Sequence, residues 1–319
     1  MLVEILILIA GLTILIVGAN WLVEGASSVA TKLGISSFTI GLTVVAFGTS
    51  MPEFVVNVMA SLSENSGLAI GNIVGSNTLN ILLVLGVAAL IKPINFQRST
   101  IRIEIPFSLL AAIVLFILAN DKFFNGSNQS VLTFSDGLIL LCFLTVFLYY
   151  TFLSAKPDTQ TPTPDVKIRK TYVTTLMVLG GIAGLYFGGQ LIVDSSVSIA
   201  KSLGVSDALI GLTVVAVGTS LPELVTSVVA AFKGNSDIAI GNVLGSNIFN
   251  IFMVLGFSSL IRPLPFYSSA NIDIMVTCLA SILLFIFALA GPGRRIDRKE
   301  GGLFVAIYVS YIVYLVVNA

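Results

Sequence analysis

Apolar residues fall into ten runs separated by short polar punctuation: 2–23, 38–62, 68–91, 103–120, 133–153, 172–194, 208–232, 238–261, 272–290 and 302–318. Roughly 20 apolar residues cross the hydrocarbon as a helix, and outside a closed barrel only a helix satisfies its own backbone there. The alternating pattern of barrel strands is absent. The pattern therefore predicts an all-α integral membrane protein with ten transmembrane helices. The longest polar stretch, 154–171, is rich in proline, threonine and charge and reads as a solvated linker. It separates an N-terminal half, 1–153, from a C-terminal half, 172–319, with five runs in each.

The halves repeat one another. Residues 34–93 align without a gap on 204–263, with 34 identities in 60 positions. Five spans per half is an odd number, so the two copies cross the membrane in opposite directions. Inverted repeats of this kind are a transporter architecture, with sites built from discontinuous helices near the midplane. Pro52 and Pro222 sit inside runs two and seven. Each lacks an N–H and crowds the carbonyl four residues back, Gly48 or Gly218, so these two helices should be discontinuous, opening near 46–49 in the first copy.

Composition agrees with the pattern. Of 319 residues 56% are hydrophobic and 10% charged, against about 25% charged in soluble domains; the mean hydropathy is +1.03. The net charge is zero, so placement carries the information. Of the sixteen basic residues, thirteen follow odd-numbered runs, among them Lys32, Lys92, Lys156, Arg169, Lys233 and Arg295. Only Lys122, Lys201 and Arg262 lie on the other side. This bias predicts a cytoplasmic linker and both termini outside. The first run has no basic n-region and no small-residue cleavage site, and reads as a retained span. There is no histidine, and Cys142 and Cys278 stand singly in apolar runs as small packing residues. No loop is long enough for a further domain. The repeat glycines open no strand–turn–helix unit, which excludes a phosphate loop, and no nucleic-acid surface or obligatory protein partner is evident.

The candidate chemistry lies in the repeats. Glu53 and Glu223 fall near the middle of runs two and seven, where a carboxylate costs about 2.5–3.5 kcal/mol on insertion scales. Every lysine and arginine lies in a loop or at a span end, so pairing with a buried base is a poor account of them. Protonation or a bound cation remains. Ala46, with Thr49 or Ser50, and Glu53 share one helical face, as do their counterparts Ala216, Thr219, Ser220 and Glu223. Runs three and eight add Ser76 with Asn80, and Ser246 with Asn250, each pair at i, i+4. Asn72, Asn77, Asn242 and Asn247 read equally well as hydrogen-bonding glue between helices, and Gly71, Gly75, Gly241 and Gly245 as close-packing positions. An oxygen-only set of carbonyl, hydroxyl, amide and carboxylate suits a hard cation rather than a soft metal. Two carboxylates balance one Ca2+ or two Na+.

At these residues the chain resembles the sodium/calcium exchanger family of the cation/calcium exchanger superfamily, most closely its short prokaryotic members. The resemblance rests on GTSMPE at 48–53, GTSLPE at 218–223, GNIVGSN at 71–77 and GNVLGSN at 241–247, within a ten-span layout. It implies two inverted five-helix repeats, with spans two, three, seven and eight around the ion sites and spans one and six sliding past that bundle. It implies antiport of Ca2+ against several Na+ by alternating access in the cytoplasmic membrane, with the ions as substrates and no cofactor. Carried over by position, the ligands are the Ala46 and Ala216 carbonyls with Thr49, Ser50, Glu53, Ser76, Asn80, Thr219, Ser220, Glu223, Ser246 and Asn250. Asn250 departs from relatives with aspartate there, which argues against potassium coupling. The proton-coupled branch typically carries an acidic residue where this chain has Gly75 and Gly245, which favours sodium over protons; a Ca2+/H+ antiporter is the alternative. An uncoupled channel and an intramembrane enzyme are competitors from other classes; the enzyme lacks any histidine, HExxH or GxGD pattern.

Overall fold

The computed structural model describes residues 2–124, 126–155, 168–203, 216–267, 270–290 and 294–318. Among the described residues, eight helices are long and apolar enough to span: Leu2–Leu33, Ser66–Ile91, Arg98–Leu118, Phe134–Ser154, Thr171–Ser202, Ser236–Ile261, Ala270–Leu289 and Arg298–Val317. A ninth span is the pair Ser37–Thr49 and Met51–Leu62, bent by 43°. The seventh appears as Ala216–Thr219 and Leu221–Phe232; the start of its predicted run, 208–215, and most of the linker lie outside the described residues. The ten-helix inverted repeat follows the predicted order.

Spans one and six overshoot their apolar runs, ending at Leu33 and Ser202 rather than near 23 and 194. At 1.5 Å per residue each 32-residue helix is about 48 Å long, against a hydrocarbon core of about 30 Å. They pack directly on each other, antiparallel. Gly11 meets Gly188, Gly18 meets Gly181, and Gly25 meets Val178. A methyl on Gly181 would stand 2.7 Å from the Leu22 amide nitrogen, so only glycine admits this approach. The inversion of the halves is thus visible in one helix pair.

The other spans enclose span eight, which is buried continuously over 238–256, and span three, which is mostly buried. Their apolar side chains, among them Ile73, Leu82, Val243 and Phe252, form the main core. Two short antiparallel pairings tie the halves together: Ile94–Asn95 with Arg295–Ile296, and Val131–Leu132 with Leu264–Pro265. The first joins two loops that follow odd-numbered spans, the second two that follow even-numbered ones. Ion pairs obey the same partition: Glu24 meets Arg169 and Lys233 at one end, and Glu64 meets Arg262 at the other. The two-sided sorting read from the basic residues is therefore reproduced by contacts.

Candidate functional site: a carboxylate pair wired across the halves

Span two changes its winding twice before it reaches Glu53. Gly41–Val45 forms a wide turn, in which the Ala46 N–H reaches back to the Gly41 carbonyl, and wide turns of this kind are often found at functional sites. Ala46–Thr49 then returns to ordinary helix, and the chain breaks at Ser50 (φ −81°, ψ 3°). The predicted opening within 46–49 is corrected by one residue. Pro52 sits in the first turn of a new helix, Met51–Leu62, where its missing N–H would have no partner anyway. The proline thus starts a second helix instead of kinking the first. The second copy does the same, breaking at Ser220 (φ −93°, ψ 7°) ahead of Pro222.

The Ala46 carbonyl is engaged rather than free: it accepts the Ser50 N–H at 3.0 Å and the Thr49 hydroxyl at 3.2 Å. In the second copy Ser220 N–H donates to Val217 O at 3.2 Å, and Ala216 opens the short helix that ends at Thr219.

Glu53 and Glu223 are fully buried, and neither forms an ion pair among the described residues. Glu53 Oε1 accepts from Ser220 at 2.9 Å and from Ser76 at 3.3 Å. Glu223 Oε1 accepts from Ser50 at 3.2 Å and from Ser246 at 3.3 Å. Each carboxylate thus takes one hydroxyl from its own half and one from the other. Thr49 donates to Asn242 Oδ1 at 2.9 Å and lies 3.3 Å from Ser246 Oγ; Thr219 donates to Asn72 Oδ1 at 3.2 Å.

Asn80 and Asn250 are wired by the same rule. Asn80 Nδ2 donates to Asn247 Oδ1 and Asn250 Nδ2 to Asn77 Oδ1, both at 3.1 Å, while Asn77 and Asn247 donate to each other's backbone carbonyls. This fixes the amide flips by the network and turns both free oxygens the same way. Four of the buried oxygens that have no donor among the described residues are Glu53 Oε2, Glu223 Oε2, Asn80 Oδ1 and Asn250 Oδ1. Buried acceptors normally find partners. These four belong to the predicted ligand set, and they could accept only a proton or a cation. Among the described residues no cluster of three acidic, histidine or cysteine side chains could hold a metal. The oxygen chemistry comes from two carboxylates and neutral groups.

Of the glycines predicted to pack closely, Gly241 and Gly245 do. A methyl on Gly241 would stand 2.6 Å from Phe38 O, and one on Gly245 would overlap the Leu42 carbonyl. The repeat equivalent of Phe38–Leu42, 208–212, lies outside the described residues. Asn72 and Asn242 behave as the predicted glue. Asn72 Nδ2 donates to Asn57 Oδ1 at 2.9 Å, and Asn242 Nδ2 donates to Ser227 Oγ at 3.0 Å. Asn57 and Ser227 are support positions that sequence reasoning missed. Their one signal was a polar residue at equivalent places, one turn beyond each glutamate.

The model of the sodium/calcium exchanger protein family matches residues 3–153 and 173–317. This chain belongs to that family. It is 33% identical to the sodium/calcium exchanger MaX1 of Methanosarcina acetivorans over 98% of each chain. It is 36% identical to the inner membrane protein YrbG of Escherichia coli, over 99% of this chain and 96% of that one. Among solved structures, the sodium-calcium exchanger NCX_Mj, soaked with 10 mM Na+ and zero Ca2+, superposes with a TM-score of 0.85 at 34% identity over 98% of each chain. The family's ten-helix inverted fold therefore covers essentially the whole of this protein.

Proposed function

We propose that this protein is a secondary-active antiporter that exchanges Ca2+ for several Na+ by alternating access. The observation that carries the reading is the set of four donorless buried oxygens on Glu53, Glu223, Asn80 and Asn250. The relatives supply the ions: MaX1 and NCX_Mj are named for sodium and calcium. Glu53 and Glu223 serve as shared ligands for both ions, with Ser50, Ser220, Thr49, Thr219, Ser76 and Ser246 around them. Competition of the two ions for one set of oxygens is enough to produce exchange. For the Ala46 carbonyl to join, the Thr49 hydroxyl must turn away from it, a rotation a bound cation would favour.

The protein acts as a transporter without a cofactor, in a prokaryotic cytoplasmic membrane. Its halves, 1–153 and 172–319, flank a cytoplasmic linker at 154–171, and both termini face outward. Uptake of 45Ca into inside-out vesicles tests this. An outward Na+ gradient should drive accumulation and a pH gradient should not. Accumulation driven only by the pH gradient would replace this reading with Ca2+/H+ antiport, and uptake indifferent to the trans ion would replace it with a channel.

A further inference from the structure

A second buried carboxylate stands outside the repeats. Glu104, near the start of span four, is 4% exposed. Its Oε1 accepts the Tyr150 hydroxyl at 2.9 Å, and its Oε2 has no donor. Among the described residues no ion pair reaches it. It lines a cavity of about 210 Å3 with Ser36, Thr39, Gln97, Tyr150 and Thr151, and no lysine or arginine contributes to the wall.

We propose that this cavity is a second cation site, separate from the repeated glutamates, that takes a hard cation from the cytoplasmic side. The donors are a carboxylate, hydroxyls and an amide, the chemistry that suits Ca2+ or Na+. The volume admits several waters, so the ion enters with part of its hydration shell. The side follows from the chain order. Ser36 follows span one, Gln97 lies between spans three and four, and Thr151 is near the end of span five. All three lie at the end that carries the thirteen basic residues.

The position gives the site a means of acting on transport. Phe38 and Leu42 also line the cavity. Their backbone packs on Gly241 and Gly245 of span eight, and Leu42 lies within the wide turn that leads to Ala46 and Thr49. An ion bound at Glu104 would brace that turn. The second half has its own carboxylate–tyrosine pair, Tyr311 donating to Asp273 at 2.7 Å. Tyr311, however, lines an apolar cleft with Leu279, Leu283 and Ile307. The segment equivalent to Ser36–Leu42 in the repeat, 206–212, lies outside the described residues.

Terbium luminescence tests the proposal on the full chain in nanodiscs, because Tyr150 touches the carboxylate and can sensitise a bound Tb3+. In the Glu53→Gln/Glu223→Gln background a saturable Tb3+ signal should persist. Competition with Ca2+ and with Na+ in separate titrations identifies the preferred ion. Adding Glu104→Gln should weaken Tb3+ binding at least tenfold. Glu104→Asp, which keeps the charge but retracts it by one methylene, should weaken binding less and guards against misfolding of the first variant. Loss of all saturable signal in the double variant, or affinity unchanged by both Glu104 substitutions, would overturn the proposal. The readout is binding alone, so a negative result leaves the antiport reading untouched.

Discussion

The two carboxylate cradles share their ligands but not their supports. Around Glu53 and Glu223 the first contacts are reciprocal, each drawing a serine from both halves. One residue further out the symmetry fails. Ser220 bridges Glu53 and Ser76 at 2.9 and 2.8 Å, whereas Ser50 reaches Glu223 at 3.2 Å. Asn57 makes two hydrogen bonds where Ser227 accepts one, and the wide turn at Asn80–Val84 lengthens to Phe249–Leu255 in the second half. The duplication therefore keeps the residue types of the proposed ion ligands the same in both halves and lets their contacts and supports drift. An ion held between both halves sees both sets of ligands, while each scaffold residue answers only to its own neighbours.

The largest expected effect treats the halves alike. Glu53→Gln and Glu223→Gln each remove one charge from a buried pair and should each lower 45Ca transport by on the order of a hundredfold or more, about 3 kcal/mol. Transport surviving in one variant but not the other would break the equivalence of the two cradles. Next come the bridging serines. Hydrogen bonds to charged groups contribute about 1.5–3 kcal/mol. Ser220→Ala loses two short bonds and should raise the Ca2+ concentration for half-maximal exchange by about tenfold. Ser50→Ala loses one longer bond and should raise it by a smaller factor. Equal shifts would mean that the distances carry no functional difference.

A third comparison concerns stability rather than transport. Asn57→Ala strands the Asn72 amide in a buried site, where an unpaired group costs about 1–3 kcal/mol, and removes a second bond, to the Ala69 carbonyl. Ser227→Ala leaves Asn242 Nδ2 with the Glu223 carbonyl at 3.3 Å and should cost about 1 kcal/mol or less. Denaturant unfolding in detergent should show the first variant distinctly weaker. The reverse order would place the rigid support in the second half.

The parts legible in the sequence were those fixed by solvent or by repetition. Lipid demands long apolar helices, so the ten runs were visible. A duplicated glutamate without a basic partner was visible because charge in hydrocarbon needs a reason. The wide turns at 41–45, 80–84 and 249–255 were not legible, since no residue type marks an extra residue in the winding. The break at Ser50 was placed slightly early because proline was read as damaging one helix, when it begins another. The overshoot of spans one and six was hidden because 24–33 is polar yet still helix-forming, so hydropathy ended each span before the helix did. The crossed wiring of Ser50 to Glu223 and Ser220 to Glu53 depends on how two inverted halves meet, and spacing within one half does not encode that.

The smallest effect lies in the turn before spans three and eight, where the same backbone carries different residues. Glu64 has φ 62° and Gly234, its partner in the repeat, has φ 75°. Each turn leads to an asparagine cap, Asn65 accepting from Leu68 N–H and Asn235 from Ile238 N–H. A left-handed conformation costs a residue with a side chain about 1 kcal/mol relative to glycine. Glu64 offsets part of that through Arg262 at 2.8 Å, but both partners are well exposed, and such pairs contribute about 0–1 kcal/mol after screening by water and salt. Glu64→Gly should therefore stabilise the protein slightly, by about 0.5 kcal/mol net, and more at high salt, where the lost ion pair matters less. Gly234→Ala should destabilise it by about 1 kcal/mol, the strain now falling on the copy without a compensating pair. Thermal unfolding at low and high salt measures both. A destabilised Glu64→Gly whose loss shrinks with salt would show that the ion pair, rather than the backbone, decides this position.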